Sequence, residues 1–352
     1  MAIVADTYTY VVGVDTHAAT HHYAIIDTAR GAQIAHGKFP THAAGLVRAA
    51  DWVARHTSTG ADQVLVSMEG TGSYGAQAAA LLAEHGYRVV DAPSPKRDRG
   101  SGKNDHIDAV TAARGALHKD SDRLADRRAG NIRSALQILL TARDSMRRDR
   151  TRSKNALTAL LRTHPLGLDA RTGVTRAQIN QITAWRQRPT DTTTIGVARA
   201  EARRLASHIH NLNTELDNNE RTLLTLVEQL QPTLLDLPGI GPINAATVLT
   251  VWSHPGRIHT EAGFAKIGGV CPLEISSGNT KNHRLNRTGD RQLNSALESI
   301  ANSRMRHHET TRDYVKRRTK QGQTKRRIRR CLKRYIARQL FRHLTQATLD
   351  KT

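Results

Sequence analysis

The chain is poor in cysteine, with Cys271 and Cys331 its only two among 352 residues. That excludes a disulfide-stapled scaffold and any paired-cysteine zinc spacing, and it fits a reducing cytoplasm. Aromatic residues make up 4% of the chain, too few for base-stacking platforms to dominate the capture of a single strand. No apolar run reaches the roughly 18 residues that a membrane-spanning helix needs, so no membrane partner is expected. The opening stretch MAIVADTYTYVVGVD has no basic segment ahead of an apolar core, so no signal peptide is expected. Internal repeats and low-complexity tracts are also missing, which argues against a solenoid.

What the chain has in excess is positive charge. Lys and Arg number 53 against 31 Asp and Glu, a formal charge of +22. An imbalance of this size works against a compact structure unless a polyanion is bound, and nucleic acid is the first expectation. The charge is unevenly placed: residues 1–120 carry 11 basic and 12 acidic residues, while Arg304 to Arg342 carry 16 and two. The length itself exceeds what a single core commonly serves, about 250 to 300 residues, so two or three domains are expected.

In the first segment the pattern predicts strands at Val11 to Asp15, His21 to Asp27 and Gln33 to Phe39, an antiparallel meander. A helix follows over Gly45 to His56, then the apolar strand Val64 to Met68, a helix from Tyr74 to His85 closed by Gly86, and a strand from Tyr87 to Asp91. Three strands followed by alternating helices and strands is the ribonuclease-H-like order, an α/β fold. From about residue 126 the period becomes helical. Ile132, Leu136, Ile138, Leu139, Met146, Leu157, Leu160 and Leu161 mark one long helix; Leu205, Ile209, Leu212, Leu216, Leu223 and Leu226 mark another. These read as an antiparallel coiled stalk, either packed within the chain or pairing two subunits. The expected division is 1–122, 123–231 and 232–345, the last mostly α-helical.

Metal-assisted phosphodiester chemistry needs carboxylates that converge, because two cations about 3.5 to 4 Å apart each want hard oxygen ligands. Asp15 lies in the first strand, Glu69 ends the strand expected beside it, and Asp105 and Asp108 are three apart on one helical face. Singly, each is an ordinary solvated carboxylate. Together, in this order of elements, they make a candidate metal site.

The order Gly13-Val14-Asp15, Met68-Glu69-Gly70-Thr71-Gly72 and Lys103-Asn104-Asp105-His106-Ile107-Asp108-Ala109 resembles the DEDD tetrad of insertion-sequence transposases whose catalytic domain is similar to the junction resolvase RuvC. Leu237-Pro238-Gly239-Ile240-Gly241, Gly268-Gly269-Val270, Ser276-Ser277-Gly278 and Arg287-Thr288-Gly289-Asp290 resemble the second domain of that family. The resemblance spans Val11 to Leu344. It implies a DEDD centre at Asp15, Glu69, Asp105 and Asp108 holding Mg2+, two ions per site. It also implies a serine that attaches covalently to DNA, Ser277 or its neighbour Ser276, and donor and target DNA chosen through a structured non-coding bridge RNA. A prokaryotic, nucleoid-associated protein acting as a dimer or tetramer is the expected setting.

The second half also has a direct reading. Leu234 to Pro242 running into Asn244 to Leu249 predicts a helix-hairpin-helix, whose Gly239 and Gly241 let backbone N–H groups approach phosphate. A serine among Lys281, Arg284, Arg287 and Arg291 has cationic groups at hand to offset phosphoryl charge, although a plain turn would use the same residues. Ile328, Leu332, Ile336 and Leu340 recur every four residues, leaving Lys325, Arg326, Arg327, Arg329 and Arg330 on the remaining surface as a phosphate-gripping helix. Most of the 18 histidines read as incidental, and no zinc site is expected.

Three alternatives compete. A RuvC-like resolvase would use the tetrad without serine chemistry. An actin-like sugar kinase also opens with Gly-x-Asp on a meander, but it would require further glycine-rich phosphate loops and leave the basic third without purpose. A non-enzymatic basic nucleic-acid binder would not need four carboxylates that repel its ligand.

Overall fold

The computed structural model describes residues 2–93, 105–277, 280–284, 286 and 288–349, with the backbone alone for 276–277, 280–283 and 348–349. Contacts divide the chain into two units: Met1–Ala129 with Ser253–Thr260, and Gly130–Trp252 with Glu261–Thr352.

The first unit opens with a short helix α1 (Val4–Thr7) and the meander β1 (Tyr10–Thr16), β2 (Thr20–Asp27) and β3 (Gln33–Pro40). Then come α2 (Ala43–Thr57), β4 (Val64–Met68), α3 (Ala76–Glu84), β5 (Arg88–Asp91) and α4 (Asp105–Leu117). The five strands form one sheet in the order β3-β2-β1-β4-β5, antiparallel through the meander and parallel from β1 to β4 and β5. This is the mixed sheet that the sequence pattern predicts.

The sheet is covered on both faces, so its central strands are apolar throughout. Val12, Val14, Tyr23, Ile25, Val66 and Met68 pack with Leu46, Val53 and Leu82 of the helices α2 and α3. Val11, Ala24, Ile26 and Leu65 pack with Ala109, Val110, Ala113 and Leu117 of α4. The alternation along β1 therefore puts Val11, Gly13 and Asp15 on the α4 face. Gly13 is required there: a Cβ would stand 1.9 Å from the Ala109 carbonyl oxygen and 2.6 Å from the Ala113 nitrogen. Together with Ala109, Ala112 and Ala113 it brings α4 into near contact with the strand, and Ser67 Oγ fastens the helix by donating to the Ala112 carbonyl at 2.7 Å.

The second unit is helical apart from one hairpin. Helix α5 (Asn131–Thr163), a short α6 (Arg176–Thr183) and α7 (Thr193–Leu230) come first, then α8 (Pro242–Trp252), α9 (Glu261–Ile267), β6 (Leu273–Ser277), β7 (Thr280–Arg284), α10 (Arg291–His307), α11 (Glu309–Lys320) and α12 (Lys325–Leu349). The long helices α5 and α7 run antiparallel: Arg143 reaches Leu216, Asn219 and Glu220, and Arg150, a little further on, reaches back to Asn213. Leu136, Leu140, Leu157 and Leu161 of α5 and Leu205, Ile209, Leu212, Leu216 and Leu223 of α7 are buried, and Leu157 and Leu161 share a core with Leu205 and Ile209. Ile138 departs from the expected stripe and is 68% exposed. Where the two helices turn around, Leu166, Val174, Ile179 and Ile182 close a small core of their own. Helix α8 is buried from Ala245 to Trp252, the central rod of this unit.

One expectation for this unit changes in detail. The element ahead of Gly239 is a single 3-10 turn, Pro232–Asp236, and not a full helix. The segment after Cys271 forms the β6–β7 hairpin, in register Ser276 with Lys281 and Ser277 with Thr280.

Candidate metal centre and basic groove

The acidic centre grows out of the sheet register. Asp15 on β1 lies directly opposite His22 on β2, and Ala24 lies opposite His36 on β3. Paired residues share a face, so Asp15, His22 and His36 all stand under the start of α4. That helix begins at Asp105, whose carboxylate completes the arrangement. His17 Nε2 donates to Asp15 Oδ2 at 2.9 Å and lies 3.5 Å from Asp105 Oδ1, while His22 Nε2 lies 3.6 Å from Asp105 Oδ2. Among the described residues, Asp15, His17 and Asp105 form a group whose ligand atoms all fall within 4.8 Å of one another.

Asp15 is buried, 6% exposed. A buried carboxylate needs a cation or several donors, so its position at the mouth of this group argues for charge close by. The histidines around it carry the mark of burial. Desolvation lowers the pKa of His21, with the Thr20 backbone opposing; it lowers that of His22, against the pull of Asp105; and it lowers that of His36, with His106 adding to the effect. The array continues outward, with His22 stacked on His36 and His36 edge-on to His106 at 4.1 Å. Reading the histidines as incidental missed this. The available signal was the two-residue alternation of the meander, which puts His22 beside Asp15.

Glu69 follows β4 in a loop fixed by its backbone. Its N–H donates to the Val14 carbonyl at 3.0 Å, and its carbonyl accepts from Thr16 Oγ1 at 3.0 Å. Gly70 has φ +63°, and Thr71 donates to Asp91, which pairs with Arg257 at 2.6 Å. The loop thus delivers Glu69 to the end of β1 that carries Asp15, with an exposed side chain. Asp108 lies one turn along α4 from Asp105 and is half-buried. Neither Glu69 nor Asp108 falls within the close group of three. Lys103 and Asn104 lie outside the described residues.

In the second unit, Ser276 and Ser277 end β6 and Lys281 lies on β7, while Gly278 and Arg287 lie outside the described residues. An open groove runs between this hairpin and α12, lined by Arg284, Arg326, Arg327, Arg330 and Arg334. Ile328, Leu332, Ile336 and Leu340 are buried as expected. The basic residues of α12 then divide by partner. Arg329 and Lys333 pair with Glu298, and Arg334, Arg338 and Arg342 gather on Glu261, whose pKa Arg338 and Arg334 lower, Arg338 most. Arg304 faces inward, donating to the Pro238 carbonyl at 2.6 Å and to Gln339 at 2.7 Å, and burial lowers its pKa. Gly239, at φ +76° and close against Ile300 and Ser303, therefore shapes a turn held by α10, whereas a Cβ added at Gly241 would meet nothing within 4 Å. The start of α8 beyond it shares a second groove with Arg147, Arg148 and Arg291.

A transposase family model matches residues 12–165, the stretch that carries all four carboxylates. A second, for transposases of the IS116/IS110/IS902 family, matches residues 231–316. The chain belongs to the IS116/IS110/IS902 family of transposases. No curated protein matches it. As a transposase of this family it is a DNA-acting enzyme, and the DEDD match together with the acidic group indicates use of a divalent cation. Among the described residues no helix is long and apolar enough to cross a membrane.

Proposed function

We propose that this transposase cuts and rejoins the DNA of an insertion sequence with two sets of groups. Asp15, Glu69, Asp105 and Asp108 hold divalent cations, two Mg2+ in the ordinary case, and Ser277 or Ser276 is the nucleophile. The convergence of Asp15 and Asp105 under the start of α4, within the DEDD match, carries the reading.

Bound there, the cations neutralise the scissile phosphate and make a nearby hydroxyl easier to deprotonate. The serine oxygen forms a bond to phosphorus as the bond from phosphorus to the leaving DNA oxygen breaks, and that oxygen takes up a proton. Arg284 and Arg287 offset charge on the phosphoryl oxygens. The phosphoserine link retains the bond energy, so a second DNA end restores the serine when it attacks. Arg326, Arg327 and Arg330 grip backbone, with Lys325, Arg329 and Lys281 at the margins, and the start of α8 beside Arg291 takes a further phosphate through its free N–H groups. Binding through phosphates carries no sequence readout, which leaves donor and target choice to a structured bridge RNA. The three segments, 1–122, 123–231 and 232–345, divide catalysis, spacing and serine chemistry, with a coiled-coil pairing of the long helices in a dimer or tetramer.

Labelled DNA incubated with the chain in Mg2+ and run on a denaturing gel tests this. A protein-linked band that disappears in both the Asp15→Ala and the Ser277→Ala/Ser276→Ala proteins is expected, with DNA binding retained. Cut DNA without a protein-linked species would point to plain hydrolysis of the resolvase kind. Undiminished cleavage by Asp15→Ala would remove the metal assignment.

A further inference from the structure

His22 is the anomaly of the acidic centre. Its side chain is 10% exposed, and neither Nδ1 nor Nε2 has a hydrogen-bond partner. A buried imidazole with both nitrogens unsatisfied forfeits solvation without compensation, an arrangement that folded proteins rarely tolerate away from ligand sites. Its Nε2 points at Asp105 Oδ2, 3.6 Å away, while Asp105 Oδ1 lies 3.5 Å from His17 Nε2. Asp105 therefore presents one oxygen to each of two imidazoles, and His17 joins it to Asp15.

Those separations are the edges of a coordination shell. Two donors about 2.1 Å from one cation, at angles between square and tetrahedral, lie about 3.0 to 3.4 Å apart. The 2.9 Å and 3.5 Å separations from His17 Nε2 to the two carboxylates bracket that range.

We propose that one cation position of this centre is a mixed nitrogen and oxygen site, built from Asp15, Asp105 and His17 with His22 as a further donor, and that it prefers a first-row transition cation to Mg2+. The inference rests on the metal reading above and adds His17 and His22 to it as ligands. Mg2+ favours oxygen and keeps its water, whereas imidazole strengthens binding across the series from Mn2+ upward. His36 and His106, packed behind His22, hold its ring in place.

The test is Mn2+ binding to the full-length chain read by pulsed electron paramagnetic resonance, which detects nitrogen bound to the ion. Mn2+ is the probe because, as the weakest binder of the series, it does not fill stray surface histidines. Nitrogen modulation is expected in the unaltered protein, with its frequency changing when histidine is labelled with heavy nitrogen. His17→Ala should reduce its depth and weaken Mn2+ binding about tenfold or more, while Mg2+ affinity changes less than about twofold. The isotope comparison needs no substitution, so it stands even if a His22→Ala protein fails to fold. Mn2+ bound without nitrogen modulation, or modulation at full depth in His17→Ala, overturns the nitrogen site and leaves the carboxylate centre intact. Absence of Mn2+ binding, or binding indifferent to Asp15→Ala, overturns the nitrogen site and the metal reading together.

Discussion

At the scale of single residues, Gly13 sets the distance on which the centre depends. The Cβ of an alanine there would overlap the Ala109 carbonyl and the Ala113 nitrogen, both backbone atoms of α4 that cannot rotate away. The helix must lift, and Asp105 and Asp108 lift with it. Gly13→Ala is therefore expected to cost about 3 kcal/mol, the upper end for overpacking, and to abolish cleavage although it alters no ligand. Denaturant unfolding beside a cleavage assay checks this; full activity would mean that α4 is more loosely docked than its packing implies. The buried His21 adds a pH dependence. Burial keeps His21 below the ordinary value of 6.5, so on acidification the unfolded chain takes up a proton first. Stability is whole above about pH 6.5 and falls as pH drops below it toward the folded value. A lower denaturant midpoint at pH 5.5 than at pH 7.5 is expected, with a smaller difference in His21→Asn; a higher midpoint at pH 5.5 would reverse the assignment.

At the scale of elements, α12 is two helices in one. Its apolar stripe and its pairs with Glu298 and Glu261 fasten it to the unit, while Arg326, Arg327 and Arg330 line the groove with Arg284. Replacing those three with Gln should weaken binding to every nucleic acid alike and flatten the salt dependence by roughly 0.9 for each duplex phosphate no longer neutralised, with the melting temperature unchanged. Glu261→Gln should do the opposite, lowering the melting temperature while leaving the salt slope near its original value. Salt titrations of DNA binding alongside thermal melts separate the two classes. A salt slope unmoved by the triple substitution would direct the groove to some other ligand. Neutralising Arg329 should fall between the classes, because that side chain is shared with Glu298.

For the whole molecule, the proposed nucleophile lies 169 residues beyond Asp108, and the proposed chemistry requires it to meet the metal centre. Nothing local in the chain joins them, so an assembly in which one subunit's serine serves another's carboxylates is the expected arrangement. It would keep a lone subunit from cutting DNA. Mixing Asp15→Ala protein with Ser277→Ala/Ser276→Ala protein, under conditions that exchange subunits, should then restore part of the recombination that neither supports alone. Mixed oligomers that form and remain inactive would place both sets of groups in one chain.

The sequence by itself determined the order and type of the elements around the carboxylates. Strand and helix periods at Val11 to Asp91 are local, and a glycine such as Gly86, at φ +87°, ends its helix through its own backbone freedom. It also determined the charge asymmetry and the apolar stripe of α12, since both are properties of composition and spacing. Tertiary structure alone decided which side chains come together in the close group. The close group combines Asp15 and Asp105 with His17, and this depends on a cross-strand register and a helix docking that no one-dimensional spacing encodes. The same holds for the arginines. Arg304 and Arg330 are alike in sequence, yet one is spent inside on the Pro238 carbonyl and the other lines the groove, because burial and partners are assigned only when distant segments meet.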